Sequence, residues 1–394
     1  MNPAEWVEAF FYRIYWQLRW RLSYYKHHGK RYFVDMHLPE DGKKIIAHFV
    51  THDKFTVGYM LFMKKCFSRY HHIFFTTDGP YRDQIAGMED AFLIRNCAWC
   101  FSQPASLQIL GKAEKVIYTG VFNRKILIYM PKIILHKSYF HFWGGDFYSF
   151  RDPAENPQEA IERKVFRERL IQCGGIINLI EEEWPKMRKI LHLPEDVPHF
   201  SAPMRGDPDQ KIDFSKYVKQ DHVLRITVGN SATKENRHLE AFEYLRHVQG
   251  PDVEISCPLS YGEPDYARKV IQAGRKIFGS RFRPITQFMP YEEYIQYLAN
   301  CDVGIMNHNR QQAGGNIYLL LQLGKKVYID SSTSLAEAYR RRGVTLYDVH
   351  DIENENIEEL MSIPPEVVKA NCACVEREFS LAHAVEKWET VFQA

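Results

Sequence analysis

What constrains this chain most is a repeat of strand, loop and helix that begins at His222. His222–Gly229 is a β-branched run of strand length, and the loop Asn230-Ser231-Ala232-Thr233 leads into Leu239, Phe242, Leu245 and Val248, spaced as one face of a helix. Val253–Cys257 then alternates as a strand, and Tyr266, Val270, Ile271, Gly274 and Phe278 mark the next helix. Pro284–Met289 reads as extended, Tyr291–Asn300 as helical, Cys301–Met306 as a strand, and Asn316–Leu323 as a helix stopped by Gly324. Lys326–Asp330, Ser334–Arg342 and Val344–Tyr347 complete the series as strand, helix and strand. Strands this close together, with helices between them, must run parallel through crossover connections. The series therefore predicts an α/β fold with a doubly wound sheet.

The first half alternates less regularly. Lys44–Val50, His72–Thr76 and Lys115–Tyr118 read as extended, and Phe55–Cys66 and Pro104–Leu110 as helical. Glu155–Cys173 reads as a charged helix and Gly175–Ile180 as a short buried strand. A second α/β sheet is the economical expectation, and 394 residues suffice for two to three domains of roughly 150 residues each. A Pro-, Gly- and Asp-rich stretch after Ser201 separates the halves. The expected organisation is an aromatic and basic opening segment over 1–40, an α/β domain over 41–205, a linker over 206–217, a second α/β domain over 218–363, and helices over 364–394 that pack back on the body.

With 45% hydrophobic and 25% charged residues, the chain has neither a disordered nor a low-complexity composition. Its longest uncharged apolar run, Phe55–Met63, falls far short of the ~20 residues a spanning helix needs. No apolar core followed by a small-residue cleavage site opens the sequence, which predicts a cytoplasmic location and eight cysteines present as thiols. The net charge of +2 conceals an asymmetry: residues 1–205 carry +7 and residues 206–394 carry −5. Without a dense basic stripe this argues against nucleic acid as a partner, whereas a basic half suits an anionic surface or an anionic substrate.

The strongest site signal is the loop from Asn307 to Asn316, which contains Arg310, Gln311, Gln312, Gly314, Gly315 and Asn316 between a strand and an apolar helix. Paired glycines let a ligand approach the backbone, and the free N–H groups and dipole of the following helix favour an anion, which makes a diphosphate cradle. Arg310 would add a charge-assisted hydrogen bond to a phosphate oxygen. A Gly-rich helix cap with a solvated arginine is the alternative. Gly229, Asn230 and Ser231 form a second such loop, and both must lie at the carboxyl ends of parallel strands, where ligands of such sheets bind. Met289 and Tyr291, in Phe288-Met289-Pro290-Tyr291, are assigned to nucleobase contact, and Tyr261 to the pocket wall; plain packing is the alternative for each.

In the first half, His52 and Asp53 follow one strand and Asp146 follows another, after Trp143-Gly144-Gly145. A sugar hydroxyl loses its proton to a carboxylate or imidazole within hydrogen-bond reach, so Asp146, then Asp53 or His52, are the candidate bases at a cleft between the domains. A helix-capping role is the alternative for either aspartate. Asp207-Pro208-Asp209 resembles a metal-binding carboxylate pair but lacks a preceding apolar strand, and Cys97-Ala98-Trp99-Cys100 lacks a second pair, so no metal is expected. The opening segment interleaves Trp6, Phe10, Trp16 and Trp20 with Arg13 and Arg19, and has no acid between Glu8 and Asp35. Such a helix lies flat on an anionic membrane surface, or else packs on its own domain or a partner copy.

Taken together, Gly229-Asn230-Ser231, Tyr266 to Phe278, Met289 to Asp302, and Arg310-Gln311-Gln312 to Gly324 resemble the TDP-N-acetylfucosamine:lipid II N-acetylfucosaminyltransferase family, and Trp143-Gly144-Gly145-Asp146-Phe147-Tyr148 looks like its Trp-Gly-x-Asp-x-Tyr segment. The resemblance covers roughly residues 45–350. It implies a GT-B glycosyltransferase, with two Rossmann-like doubly wound domains facing a cleft. The second domain would hold a nucleotide-diphospho-sugar, dTDP-linked 4-acetamido-4,6-dideoxygalactose or a relative, and the first a saccharide acceptor on a polyprenyl diphosphate. It further implies no metal or other cofactor and a peripheral place on the inner face of a bacterial plasma membrane. A nucleotide-sugar epimerase-hydrolase of the same architecture and a non-catalytic membrane-surface scaffold are the alternatives.

Overall fold

A computed structural model describes Val7, Phe11, Tyr12, Ile14, Tyr15 and Leu18, and residues 36–101, 103–248, 250 and 252–394. The chain divides into two compact units: Met1–Gln210 together with Ala384–Ala394, and Lys211–His383. Among the described residues each unit is built on one parallel sheet.

In the first unit the strands are β1 (Ile45–Val50), β2 (His71–Thr77), β3 (Ala91–Ile94), β4 (Lys115–Thr119), β5 (Ser138–Phe142), β6 (Gly175–Asn178) and β7 (His199–Ser201), in the order β3-β2-β1-β4-β5-β6-β7. All six residues of β1 are buried, as a central strand covered by helices on both faces requires. One face carries Phe49, Phe75, Tyr118 and Phe140 in the main core. The other face carries three buried histidines joined into hydrogen-bonded partnerships. His72 Nε2 donates to the Phe67 carbonyl (3.1 Å), so its Nδ1 accepts from His48 Nε2 (2.9 Å), and His48 Nδ1 in turn accepts from the Tyr59 hydroxyl (3.0 Å). His141 Nε2 donates to the Ala202 carbonyl (3.0 Å). Trp388, wholly buried in the helix Leu381–Gln393, stacks edge-on against His141 and donates to the Pro203 carbonyl (3.0 Å).

In the second unit the strands are β8 (Leu224–Val228), β9 (Val253–Pro258), β10 (Phe282–Ile285), β11 (Val303–Met306), β12 (Lys326–Ile329) and β13 (Tyr347–Asp348), in the order β10-β9-β8-β11-β12-β13. The helix Pro264–Phe278 opens on a proline at its first turn and packs its Gly274 onto Phe282, whose ring lies 2.4 Å from where a Cβ would stand. That contact places the start of β10 at Phe282, two residues ahead of the expected Pro284, and the strand stops at Ile285 rather than Met289. Pro284 is tolerated because β10 is an edge strand paired only with β9. β3 and β7 have no expected counterpart: both are short, and β7 has no fully buried residue. The unit boundary falls between Gln210 and Lys211, inside the expected linker. Just before it, Asp207 and Asp209 both grip the Lys65 ammonium (2.6 and 2.5 Å).

Candidate active site

The second sheet reverses direction between β8 and β11: from β8 the chain winds outward to β9 and β10, then crosses back to β11, β12 and β13. A crevice forms at the carboxyl ends of strands at such a reversal, and the two loops singled out by sequence both start there. Gly229, directly after β8, has φ +70°, and a Cβ at this position would stand 2.5 Å from His238 Nε2 and 2.8 Å from Asn236 Oδ1. Only glycine fits.

Asn236 is the hub. Wholly buried, it accepts through Oδ1 from the Asn230 backbone N–H (2.9 Å) and from His308 Nε2 (3.0 Å), and donates through Nδ2 to Thr233 Oγ1 (2.8 Å) and Ser231 Oγ (3.2 Å). His308 Nε2 also donates toward Asn230 Oδ1 (3.1 Å), which fixes the proton on Nε2 and leaves Nδ1 a bare acceptor. Burial holds this imidazole at about 3, assisted by the charges of Arg310, His238 and Arg237, so it is neutral. Gln312 Nε2 donates to Asn230 Oδ1 (3.0 Å) and Ser231 Oγ (3.3 Å), and Asn230 Nδ2 reaches the Tyr261 hydroxyl (3.1 Å). Arg237 closes the back of the loop on the Asn307 carbonyl (3.0 Å) and on Asp330 at the end of β12.

From this cluster the chain turns through Ala313, at φ +58°, into the helix Gly314–Gln322. No side chain caps that helix, so the N–H groups of its first turn are left for another partner. A Cβ on Gly314 or Gly315 would meet no atom within 4 Å: their smallness keeps open space in front of the helix and relieves no internal clash. On the segment that leads into this helix, three buried polar atoms have no hydrogen-bond partner among the described residues: His308 Nδ1, Gln312 Oε1 and Arg310 Nε. The Arg310 side chain is largely covered; its Nη1 donates to the Gln311 carbonyl (3.1 Å), and Nε stands 3.7 Å from Glu235.

The structure thus brings Asn230, Ser231, Tyr261 and Gln312 into one hydrogen-bonded group and sets Arg310, Gln311, Gly314, Gly315 and Asn316 on the segment beside it. Met289 and Tyr291 follow β10, two strands from β8 and so about 10 Å across the sheet. Phe288 and Tyr291 there are exposed. Asn236, Arg237 and His308 were missed as site residues, although His308 sits inside the flagged loop between two asparagines, an arrangement typical of a hydrogen-bonded turn.

In the first unit the reversal lies between β1 and β4. Asp146 is buried after β5, where its Oδ2 accepts from the N–H groups of Val121 (2.9 Å) and Trp143 (3.0 Å). Burial raises its carboxyl to about 6 against those hydrogen bonds. In this geometry Asp146 ties the loops after β4 and β5 together. His52 has both ring nitrogens engaged: Nδ1 donates to the Thr77 carbonyl (2.8 Å) and Nε2 accepts from the Tyr81 N–H (2.9 Å). Asp53, half-buried, accepts among the described residues only at Oδ1, from the Phe55 N–H (3.3 Å), and is the least committed of the three. Trp6, Phe10, Arg13, Trp16, Arg19 and Trp20 lie outside the described residues.

Two parallel-sheet α/β units of this kind match the GT-B fold of solved glycosyltransferase structures. The structure is similar over 89% of the chain to a glycosyltransferase from Rickettsia africae (98% of that chain, TM-score 0.66, 14% identity). It is likewise similar to Anabaena HepE in complex with UDP and glucose (89% and 99% covered, 0.62, 10%) and to sucrose-phosphate synthase from Thermosynechococcus elongatus (89% and 98% covered, 0.60, 11%). The family model described as 4-alpha-L-fucosyltransferase, glycosyl transferase group 56, matches residues 108–390, and the chain belongs to that family. It is an enzyme of glycosyl transfer.

Proposed function

We propose that this glycosyltransferase moves an N-acetylfucosamine-like sugar, 4-acetamido-4,6-dideoxygalactose or a relative, from a dTDP-sugar to a polyprenyl-diphosphate-linked saccharide in bacterial surface polysaccharide synthesis. The observation that carries the donor assignment is the open space at Gly314 and Gly315, at the start of the helix Gly314–Gln322, together with the unpartnered buried polar atoms of His308, Arg310 and Gln312 on the segment that leads into it. A diphosphate placed there would accept from the first-turn N–H groups and from Arg310 as the sugar–phosphate bond breaks, with no metal required. The base and sugar would extend over Tyr261 toward Met289 and Tyr291. Of the candidate bases, Asp53 has the freest carboxylate, and Asp146 would first have to release two amides.

A peripheral position on the inner face of the bacterial plasma membrane completes the reading. Among the described residues no helix is long and apolar enough to cross a membrane. Val7, Phe11, Tyr15 and Leu18 are spaced as one helical face, and each is more than half exposed, which suits a helix lying in an interface. Thermal shift with dTDP, UDP and GDP tests the donor assignment, since a bound ligand at 100 times its Kd stabilises by ~2.7 kcal/mol. Stabilisation by dTDP above the other two is expected, and no response to any of them would sink it. Incubation with donor alone separates transfer from hydrolysis or epimerisation, because transfer needs the lipid-linked acceptor.

A further inference from the structure

Three guanidinium groups of the first unit gather on one buried ring. Phe150, packed against Phe166 (5.2 Å between ring centres), has Arg124 at 4.7 Å, Arg163 at 5.3 Å and Arg167 at 5.8 Å from its centre. Arg124 immediately precedes the short helix Lys125–Tyr129, and the other two arginines lie in the helix Pro157–Leu170. Asn156 caps that helix on the Glu159 N–H (2.9 Å), and Glu159, Arg163 and Arg167 then recur every fourth residue, so they share one helix face. Glu159 is the one carboxylate paired into the group among the described residues. Its Oε1 accepts from Arg124 Nη1 (2.7 Å) and from Arg163 Nε (3.0 Å), and Arg124 above all holds this carboxyl down at about 2. Arg163, 8% exposed, spends its remaining N–H groups on the Ser149 carbonyl (3.1 Å) and the Asp152 carbonyl, and Arg124 Nη2 donates to Ser149 Oγ (3.2 Å).

Arg167 has no such partner. Half-buried, it pairs with no carboxylate and donates to no carbonyl among the described residues, and its Nε is covered without a hydrogen-bond partner. Burial, and then the charge of Arg163, pull its guanidinium below the ordinary value, yet an arginine stays protonated at any physiological pH. An aromatic face relieves a cation in part but does nothing for the repulsion between neighbouring cations. What completes the group is an anion whose several oxygens meet a planar fork of N–H donors, as a phosphate does. The same helix carries Ile161 and Val165, which pack with Tyr12. Tyr12 belongs to the segment whose exposed face of Val7, Phe11, Tyr15 and Leu18 suits a membrane interface, where phosphate esters are the abundant anions. We propose that Arg167, held by Phe150 and backed by Arg124 and Arg163, is a binding site for a phosphate ester of a membrane lipid. A phospholipid headgroup and a polyprenyl diphosphate both carry that chemistry. The choice of phosphate over carboxylate rests on the membrane position proposed above; the excess of positive charge around Phe150 does not.

The test uses the full chain with dTDP in excess, which keeps added phosphate out of the donor loop. Calorimetric titration with inorganic pyrophosphate and with tetraglutamate is paired with co-sedimentation on vesicles of phosphatidylcholine alone or of phosphatidylcholine and phosphatidylglycerol in equal parts. Arg167→Gln keeps most of the length and drops the charge; Arg167→Lys keeps the charge and loses the fork. Binding of pyrophosphate, of the mixed vesicles or of both is expected to weaken about tenfold in Arg167→Gln and by less in Arg167→Lys. Without ligand, Arg167→Gln should melt at or above the wild-type temperature, since it removes an unpaired charge. A loss confined to pyrophosphate assigns the diphosphate, and a loss confined to the mixed vesicles assigns the phospholipid headgroup. Equal binding of both probes by wild type and variants, Arg167-dependent binding of tetraglutamate tighter than that of pyrophosphate, or a lowered melting temperature in both variants would each overturn the proposal. Wild type that sediments with neither vesicle refutes the membrane position alone, and the pyrophosphate titration then decides this site by itself.

Discussion

Replacing Asn236 by alanine should loosen the donor loop more than any other single truncation in the second unit. Its Oδ1 is the acceptor for two buried donors, the Asn230 N–H at 2.9 Å and His308 Nε2 at 3.0 Å, and its Nδ2 serves Thr233 Oγ1 at 2.8 Å. Each buried donor left unmet costs ~1–3 kcal/mol, so the loss should reach about 3–5 kcal/mol, a large part of the ~5–15 kcal/mol that holds a typical domain together. Hydrogen exchange of the peptide spanning 229–237 reads this directly, because local opening exposes those amides without requiring the other unit to unfold. Asn236→Asp keeps the acceptor and gives the hydroxyls of Ser231 and Thr233 a carboxylate to donate to, and should recover at least half of the loss. The reasoning is refuted if the alanine variant loses under ~1 kcal/mol of protection, or if the aspartate variant loses as much as the alanine one.

Arg310→Ala should lower turnover by one to two orders of magnitude with little change in melting temperature, each factor of ten being ~1.4 kcal/mol of transition-state stabilisation; unchanged turnover and donor affinity would remove Arg310 from the site. Gly315→Val, placing a branched side chain in space where a Cβ meets no atom, should leave the fold intact and weaken dTDP binding at least tenfold by thermal shift. Stability should fall in acid. Burial depresses His72 and His238 to about 4 and His141 and His308 to about 3, below the ordinary 6.5, so the unfolded chain binds more protons. Their contribution is complete above pH 6.5 and is lost as pH falls toward 4, by ~2 kcal/mol per histidine at pH 5. Asp146 runs the other way: raised to about 6, it strains the fold at neutral pH and gives back ~1 kcal/mol by pH 5. A urea midpoint at pH 5 equal to that at pH 7 would contradict this balance.

The second unit was legible because its parallel strands are short, apolar and separated by helices with strong periodicity, as at Tyr266, Val270, Gly274 and Phe278. Strand ends were less so: β10 begins where Phe282 can meet Gly274, and that contact joins elements whose pairing no local pattern reveals. The same limit governs the site. Glycine-rich loops announce themselves, since Gly229 sits in a tight turn at positive φ and Gly314 and Gly315 fill no packing role, and the structure places them at one sheet reversal. Asn236 and His308 could not be found that way, because each matters through a partner 72 residues distant. Aspartates mislead for a related reason. A carboxylate after a parallel strand is equally suited to take a proton or to bind loop amides, and only three-dimensional contacts show that Asp146 holds Val121 and Trp143 while Asp53 keeps one oxygen open. The buried Asp146 carboxyl, at about 6, would be a serviceable base near neutral pH only if a substrate displaced those amides. Asp146→Asn and Asp53→Asn therefore separate the roles: loss of turnover with an unchanged melting temperature marks the base, and a lowered melting temperature marks the strut.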